Sequence, residues 1–165
     1  MPAKNESEGD KKLIKVYHQE HQRRFLKSQA NEQLLDGSVG AGKTYAGCAK
    51  VFYLCLKYPG NRIAVIRKDF TDLEESTLFT LIEGDERTDP VIPPEYIVNH
   101  NKSKHKIEVY NPWGANSTII YSGLSKGKNA KYPQKLGSTQ FGAIFIDELI
   151  EIDEGDYNFL LSRLR

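Results

Sequence analysis

Apolar residues recur along the chain with two spacings, and segments of the two kinds alternate. In residues 43–57 the apolar positions return every three to four residues, as they do on one face of a helix. Tyr58, Pro59 and Gly60 follow and would end that helix. The same spacing predicts one or two helices over residues 13–30. It also predicts a helix that is capped by Asp69, Thr71 or Asp72 and runs to about Ile82, and a last helix from Tyr157 to Arg165 with Asp156 as its cap.

Short apolar runs bounded by turn residues predict the strands. Residues 62–67 have the sequence RIAVIR, the nearly continuous apolar pattern of a strand that is covered on both faces. Residues 106–110 and 117–121 alternate between apolar and polar positions instead, which predicts a hairpin. Further strands are predicted at residues 32–36, as a buried strand, and at residues 141–146. Strands that alternate with helices indicate an α/β fold, with a mostly parallel sheet flanked by helices and the hairpin near 106–121 as an insertion.

Length and composition limit the class of protein. A chain of 165 residues with 39% hydrophobic residues has enough apolar mass for one domain with a sizeable core. We expect that domain to span residues 13–165 and the polar residues 1–12 to form a flexible tail. No apolar stretch approaches the roughly 18–20 residues that a membrane-spanning helix needs, so the sequence does not predict a membrane protein. Cys48 and Cys55 are predicted to be buried free thiols in a reducing cytoplasm.

The net charge of +1 conceals two segments of opposite charge. Residues 101–136 contain seven lysines and a single acidic residue, Glu108. Residues 147–156 contain six acidic residues and no basic one. This polarity suggests an anionic partner near the first segment and a metal or other cation near the second, although two solvated surfaces would produce the same pattern.

The segment from Gly37 to Thr44 matches the phosphate-binding pattern G-x-x-x-x-G-K-[ST] at every fixed position. Glycines let the backbone approach phosphate oxygens, and inward-facing N–H groups at the start of a helix attract anions. Lys43 would place an ammonium on the β- and γ-phosphates, and the Thr44 hydroxyl is an oxygen ligand suited to Mg²⁺. A glycine-rich turn with an accidental match is the alternative, but an apolar segment before the motif and a helix after it favour a nucleotide site. The predicted nucleotide-binding residues are Gly37, Ser38, Val39, Gly40, Ala41, Gly42, Lys43 and Thr44.

An apolar strand that ends in two carboxylates supplies the second half of the predicted site. Asp147 and Glu148 follow directly after residues 141–146, at the strand end where ligands of open α/β sheets bind. Asp147 would hold a water of the Mg²⁺ shell, and Glu148 would polarise or deprotonate the attacking water. A glutamate next to the aspartate favours a hydrolase over a kinase, because a kinase uses its base on a second substrate. A strand that ends in acidic surface residues is the alternative.

Gln22 is a candidate for reading the adenine base. It lies about fifteen residues before the phosphate loop. A glutamine amide offers one donor and one acceptor, which match the N6 and N7 edge of adenine. An exposed glutamine on a helix is the alternative.

Together these segments resemble the ATPase domain of the large terminase subunit of tailed bacteriophages, the motor that packages DNA into procapsids. The resemblance spans about residues 17–165, and the segments that point to terminases are RK after the second strand, KLGS before the final strand and RLR after it. It implies a P-loop NTPase fold of the additional-strand, catalytic-glutamate (ASCE) type. It also implies a coupling motif and a nuclease domain beyond Arg165, so that this chain would be the front part of a longer protein. The site residues that it implies are Gln22 for adenine, Lys43 and Thr44 for phosphate and metal, and Asp147 and Glu148 as the acidic pair.

The function implied by the resemblance is hydrolysis of ATP with Mg²⁺ to translocate double-stranded DNA into the procapsid. The implied partners are the DNA, the portal and the small terminase subunit, with a homo-oligomeric ring when assembled and the host bacterial cytoplasm as the location. Two other functions stay open. One is another nucleic-acid-dependent P-loop ATPase, such as a helicase-like protein, and the other is a nucleotide-binding fragment without turnover.

The source of one further cation is open. Phosphoryl-transfer transition states need cationic help, and many terminases carry an arginine inside the phosphate loop, where this chain has a valine. Arg67, at the C-terminal end of the second strand, is the candidate catalytic arginine in cis. Arg163 and Arg165 are the alternatives, either in cis or facing a neighbouring subunit. Arg67 could also be a structural ion-pair partner of Asp69 or Asp72.

Overall fold

A computed structural model of the chain describes residues 19–38, 40–85, 88–124 and 133–165. The predicted tail at residues 1–12 and Val39 of the phosphate loop lie outside the described residues. The rest forms a five-stranded sheet with helices on both faces, which confirms the α/β class. The strands are β1 (Arg62–Arg67), β2 (Ile97–Asn101), β3 (Lys106–Val109), β4 (Ser117–Gly123) and β5 (Ala143–Ile146), in the spatial order β2-β3-β4-β1-β5.

The sheet has a parallel part and an antiparallel part. β1 pairs in parallel with β4 on one side and with β5 on the other, so that Val65 lies opposite both Tyr121 and Phe145. β2, β3 and β4 pair antiparallel. The predicted hairpin therefore forms, and its second strand also joins it to the parallel part. The sequence did not predict β2, because its residues IVNHN have two adjacent apolar positions and no alternation.

Alternate residues of β1 supply two apolar clusters. Ile63 and Val65 belong to a cluster on one face of the sheet, together with residues of the helix that follows the phosphate loop. Ala64 and Ile66 belong to a second cluster, which includes Leu160 from the last helix. All four β1 residues are fully buried, as the apolar run in the sequence predicts for a strand covered on both faces.

In the part of the chain that the structure describes, two helices lie before β1 and three after it. Asp69 is the N-cap of the third, because its carboxylate accepts from the backbone N–H groups of Thr71 and Asp72. That helix soon widens to π-helical hydrogen bonding, a geometry that is common at functional sites. No helix in the described ranges is long and apolar enough to cross a bilayer. The helices are α1 (Glu20–Lys27), α2 (Lys43–Lys57), α3 (Phe70–Asp72) with its π-helical continuation (Leu73–Glu83), α4 (Gln134–Gly137) and α5 (Glu154–Leu161), with short 3₁₀ turns at Pro94–Tyr96 and Leu149–Glu151.

Both cysteines are buried in the apolar core and neither forms a disulfide, which confirms the prediction of free thiols. Burial raises the pKa of both thiols, that of Cys55 to about 12. Both side chains are therefore neutral and serve as small apolar groups.

The last helix begins earlier than predicted. Its cap is Asp153, whose carboxylate accepts from the backbone N–H of Asp156, so the helix begins at Glu154 and not at Tyr157. Asp156 lies inside the helix, fully buried, and accepts a 2.7 Å hydrogen bond from the Lys68 ammonium. The predicted cap is thus a buried ion-pair partner, because the neighbouring loop supplies a cation that the local sequence does not reveal.

The same helix also ends earlier than predicted. Its last residue is Leu161, and the chain beyond it turns to form a parallel bridge between Leu164 and Phe141. Two backbone hydrogen bonds make this bridge, at 2.9 and 3.0 Å. These bonds use the Arg163 carbonyl and the Arg165 N–H, which are then not available for hydrogen bonds within a longer helix, so the helix ends.

Residues 32–36 do not form the predicted buried strand. Leu34 is 74% exposed, and none of the described strands pairs with this segment. A strand needs the backbone groups of a neighbour, and the free edge of the sheet beside β5 is contacted by the bridge at Phe141. Two adjacent leucines in a short segment before a glycine cluster therefore did not place it in the sheet.

The pair of Lys68 and Asp156 provides a test of how α5 is attached to the sheet. Lys68→Met should lower the free energy of unfolding by about 2 kcal/mol, because the fully buried carboxylate loses its cation. We place the effect below the usual cost of breaking a buried pair because the Lys68 side chain is itself 35% exposed. Urea unfolding measures the difference, with Lys104→Met in the exposed turn between β2 and β3 as the control. Equal effects of the two substitutions would show that the pair does not stabilise the fold.

Candidate functional site

The phosphate loop leads directly into α2. Gly40 and Gly42 have φ angles of 78° and 72°, in the left-handed region that glycine adopts at low cost. Gly42 is also closely packed, since a Cβ atom there would lie 2.5 Å from Nε2 of Gln22. The two glycines therefore let the backbone turn into the helix and leave room for Gln22.

The Lys43 side chain folds back over the preceding residues of the phosphate loop. Its Nζ donates to the carbonyl oxygens of Gly37, at 2.7 Å, and Ser38, at 3.0 Å. The ammonium is thus held at the centre of the loop by backbone carbonyls. Phosphate oxygens, which carry a full negative charge, would be stronger acceptors in the same place.

The phosphate loop and the acidic strand end meet at a hydrogen-bonded cluster. Thr44 is the second residue of α2 and Asp147 follows β5. The Thr44 Oγ1 atom lies 3.1 and 3.2 Å from the two carboxylate oxygens of Asp147. A third residue, Thr77 of the π-helical segment, donates its hydroxyl to Oδ2 of Asp147 at 2.7 Å. The Asp147 backbone N–H donates to Ile66 of β1, which fixes the position of the strand end.

The charge of Asp147 favours a cation at this cluster. Its side chain is 6% exposed, and its hydrogen-bond donors are two neutral hydroxyls. No basic side chain of the described ranges forms an ion pair with it. A buried carboxylate without a counter-charge is costly, so a bound cation would stabilise the site.

The donor atoms of the cluster suit Mg²⁺. The Thr44 hydroxyl and the Asp147 carboxylate are hard oxygen ligands, and Mg²⁺ is commonly held by one or two carboxylates plus phosphate oxygens and water. The described part of the chain has no group of three or more His, Cys, Asp or Glu side chains that could hold a metal by themselves. The arrangement thus fits a metal that arrives with a phosphate ligand.

Glu148 has an unusual backbone conformation. Its φ and ψ angles are 52° and 59°, in the left-handed region, which costs a residue with a side chain about 1–2 kcal/mol. The residue is exposed and precedes the 3₁₀ turn Leu149–Glu151. Backbone strain of this kind clusters at functional sites, and here it occurs at the residue proposed as the base.

Gln22 connects α1 to the phosphate loop. Its Nε2 donates to the Gly42 carbonyl at 3.2 Å, and its Oε1 accepts from the backbone N–H of Gln19 at 2.9 Å. The side chain is 6% exposed, so the alternative of an exposed helical glutamine is wrong. Lys50 of α2 reinforces the contact by donating to carbonyls at the end of α1, among them that of Ser28 at 2.7 Å. The adenine-reading role of Gln22 stays a prediction.

Arg67 forms ion pairs beside the site. Its guanidinium lies 4.0 Å from the Asp72 carboxylate and 3.7 Å from that of Glu151, and its side chain is 15% exposed. Of the two structural partners considered, Asp72 is therefore the one that is paired. Arg67 ends β1 beside the end of β5, next to Asp147, and its catalytic role stays a prediction.

Arg163 and Arg165 lie at the end of β5 that is opposite Asp147. Their backbones bond to Phe141, which precedes β5, whereas Asp147 follows that strand. Phe141 and Asp147 are six positions apart with β5 between them, which corresponds to about 20 Å at about 3.3 Å per residue. The Arg163 guanidinium is bound to the Gly137 carbonyl at 2.8 Å. The prediction that either arginine could act in cis is therefore wrong, whereas contact with a neighbouring subunit stays a prediction.

Thr77 was not identified from the sequence. It lies in the predicted helix after Asp69, and its contact with Asp147 joins residues 70 positions apart. The available signal was a threonine between the apolar residues of that helix, where a buried hydroxyl needs a partner. A pattern in the sequence could not show which partner it has.

Comparison with known families decides the membership of the chain. A family model described as phage terminase large subunit matches residues 29–165. The chain belongs to that family. The resemblance noted in the sequence is therefore confirmed, and the match covers both the phosphate loop and the acidic strand end. A comparison of this terminase chain with curated proteins gives no match.

Solved terminase structures share the fold. The large terminase of the thermophilic bacteriophage D6E matches with a TM-score of 0.67 at 16% identity, over 87% of this chain and 35% of that one. The D6E terminase in complex with ADP matches with a TM-score of 0.64 at 12% identity, over 87% of this chain and 35% of that one. The complex with ATP-γ-S matches with a TM-score of 0.62 at 13% identity, over 87% of this chain and 34% of that one. At these identities the likeness shows the fold, and it confirms the predicted P-loop NTPase class. The chain spans about a third of the length of the D6E terminase.

Proposed function

We propose that this terminase chain binds ATP with Mg²⁺ at the phosphate loop and hydrolyses the γ-phosphate to drive DNA translocation. The observation that carries the proposal is the contact between the two predicted motifs, with Thr44 Oγ1 3.1 Å from Asp147 and Glu148 next in the chain. A phosphate loop that meets an acidic strand end in this way has the parts of a P-loop hydrolase. The D6E terminase structures that contain ADP and ATP-γ-S support a nucleotide as the ligand.

Each residue of the cluster has a role in this proposal. The loop N–H groups and Lys43 bind the β- and γ-phosphates, and Thr44 and Asp147 hold Mg²⁺. When bound, Mg²⁺ would supply positive charge to the phosphate oxygens. Glu148 accepts a proton from the attacking water.

Two further roles depend on side chains that already have partners. The Gln22 amide uses one N–H on Gly42 and one acceptor lone pair on Gln19, so its second N–H and second lone pair are the groups that would read adenine. For Arg67 to reach the γ-phosphate, its guanidinium has to leave Asp72 and Glu151. An arginine from a neighbouring subunit of a homo-oligomeric ring is the other source of that charge, and it can contribute about 10³–10⁵ in rate.

The proposed partners follow from the family. They are double-stranded DNA, the portal and the small terminase subunit, and the proposed location is the host bacterial cytoplasm. DNA-stimulated hydrolysis alone would not distinguish a terminase from a helicase-like ATPase, because both respond to nucleic acid. Assembly on a portal ring distinguishes them, since packaging requires it.

The isolated chain should be a slow, Mg²⁺-dependent ATPase. If a neighbour supplies the arginine, its specific activity should rise with protein concentration, because contacts in trans need assembly. Phosphate release with and without duplex DNA, measured over a hundred-fold range of protein concentration, tests this. Binding of ATP without phosphate release would favour a nucleotide-binding fragment without turnover. Flat specific activity, with Arg67→Ala fully active, would leave both proposed sources of the arginine unsupported.

A further inference from the structure

Thr77 makes the shortest hydrogen bond to the Asp147 carboxylate. Its hydroxyl lies 2.7 Å from Oδ2, whereas the Thr44 hydroxyl lies 3.1 Å from Oδ1 and 3.2 Å from Oδ2. Thr77 is fully buried, so water does not compete for this bond. The contact comes from the π-helical segment, an element that is neither the phosphate loop nor the acidic strand end.

The number of nearby acceptor oxygens distinguishes the two threonines. A hydroxyl has one proton, so Thr44, placed almost equally between the two oxygens, can donate to one of them at a time. Thr77 has one acceptor at short distance and donates to Oδ2 alone. Oδ2 is therefore held by Thr77, and Oδ1 remains directed toward Thr44 and the phosphate loop.

The element that carries Thr77 is itself firmly packed. Leu73, Leu78 and Leu81 of the same segment are buried in the cluster that α2 shares. The backbone carbonyl of Thr77 accepts a contact from the Cys48 thiol of α2 at 3.7 Å. The segment that carries Thr77 is thus packed against α2, the helix that carries Thr44. Both carboxylate oxygens of Asp147 therefore contact one closely packed unit.

We propose that Thr77 is a positioning residue that orients the Asp147 carboxylate for Mg²⁺ held with the nucleotide. The inference rests on the proposed function, because it assumes that Asp147 serves the metal. Hydrogen-bond partners of metal ligands commonly contribute 10–100-fold to metal affinity or activity by fixing the ligand's orientation. Without Thr77 the carboxylate can rotate, and Oδ1 no longer has a fixed direction.

Thr77→Val removes the hydroxyl and keeps the shape of the side chain. We expect it to raise the Mg²⁺ concentration that half-saturates nucleotide binding by about 10-fold. Nucleotide binding in EDTA should change less than two-fold, because the phosphate loop is intact. The measurement uses the whole chain with a fluorescent ATP analogue, titrated with MgCl₂ at fixed nucleotide, with the unfolding temperature of each variant recorded alongside.

Two variants separate positioning from packing. Thr77→Ser keeps the hydroxyl and should restore the wild-type Mg²⁺ dependence, although it loses a buried methyl group and some thermal stability. Thr80→Val, on the same segment, removes a hydroxyl that donates to the Ser76 carbonyl at 2.9 Å. That bond lies within the helical segment, so Thr80→Val should leave the Mg²⁺ dependence unchanged.

The outcomes are distinct. A wild-type Mg²⁺ dependence in Thr77→Val overturns the inference, and so does an equal shift in Thr77→Val and Thr77→Ser. If Thr77→Val does not fold, Thr77→Cys replaces it, because a thiol is a weak donor; a shift in Cys without one in Ser supports the inference, and equal behaviour overturns it. If the wild-type chain itself binds nucleotide with no dependence on Mg²⁺, the proposed function fails before the role of Thr77 is in question.

Discussion

Lys43→Ala should weaken ATP binding by at least about 100-fold. A hydrogen bond to a charged group contributes about 1.5–3 kcal/mol, and the lysine would make such bonds to two phosphates, so a loss of about 2.7 kcal/mol or more is expected. The substitution also removes bonds to the carbonyls of Gly37 and Ser38, but these lie in an exposed loop that water can reach. The fold should therefore tolerate the change, and a fluorescence titration with an ATP analogue measures the affinity.

Lys57→Ala is the matched control for that measurement. Lys57 lies in the last turn of the same helix, is exposed, and contacts the rings of Tyr53 and Tyr58. It carries the same charge but lies at the far end of α2 from the loop. Equal affinities of Lys43→Ala and the wild type would mean that the loop is a glycine-rich turn and not a phosphate site.

Glu148→Gln should lower the rate of ATP hydrolysis by about 10²–10⁴-fold while nucleotide binding changes little. The amide has the size of the carboxylate but cannot accept a proton from water at neutral pH. Glu154→Gln is the control, because Glu154 is an exposed acid a few residues further on, in the first turn of α5. Single-turnover phosphate release and a binding titration on the same samples separate the two quantities. Wild-type turnover in Glu148→Gln would remove Glu148 from the role of base.

The backbone of Glu148 adds a second readout. Glu148→Gly should lose turnover as Gln does, yet its free energy of unfolding should stay equal to the wild type or rise. Glycine relieves the strain of about 1–2 kcal/mol at a left-handed residue, which offsets the roughly 0.5–1 kcal/mol of extra chain entropy that glycine brings. A clear loss of stability would show that the Glu148 side chain supports the fold rather than the reaction.

Features encoded in contiguous residues were predicted well from the sequence. The position of the phosphate-loop motif before α2, that of the acidic pair after β5 and the burial of β1 each follow from a short local pattern. The roles of the motif and of the acidic pair stay predictions. The cap at Asp69 is local as well, because its carboxylate bonds to backbone groups two and three residues ahead. The family resemblance rested on the same short segments, and the family match confirms it.

The errors concern partners that are distant in the chain. Both Asp153 and Asp156 are suitable caps by local pattern, and the choice is made by Lys68, 88 residues from Asp156. Residues 32–36 were predicted as a strand because they form a short segment before a glycine cluster, but a strand exists only where a neighbour offers its backbone. β2 shows the converse, since its weak pattern becomes a strand because β3 lies beside it. Thr77 belongs to this group, because only the folded chain shows which carboxylate its hydroxyl reaches.

The contact between Thr44 and Asp147 joins residues that are 103 positions apart, and this separation has a consequence for synthesis on the ribosome. At about 5–20 residues per second, roughly 5–20 s pass between translation of the phosphate loop and translation of its acidic partner. Until β5 has been made and has paired with β1, a nascent chain contains the phosphate loop but lacks the Asp147 carboxylate that contacts Thr44. In the proposed function, nucleotide present during translation would therefore meet a complete site only once β5 has been made, and its binding would then stabilise the joined sheet rather than an early intermediate.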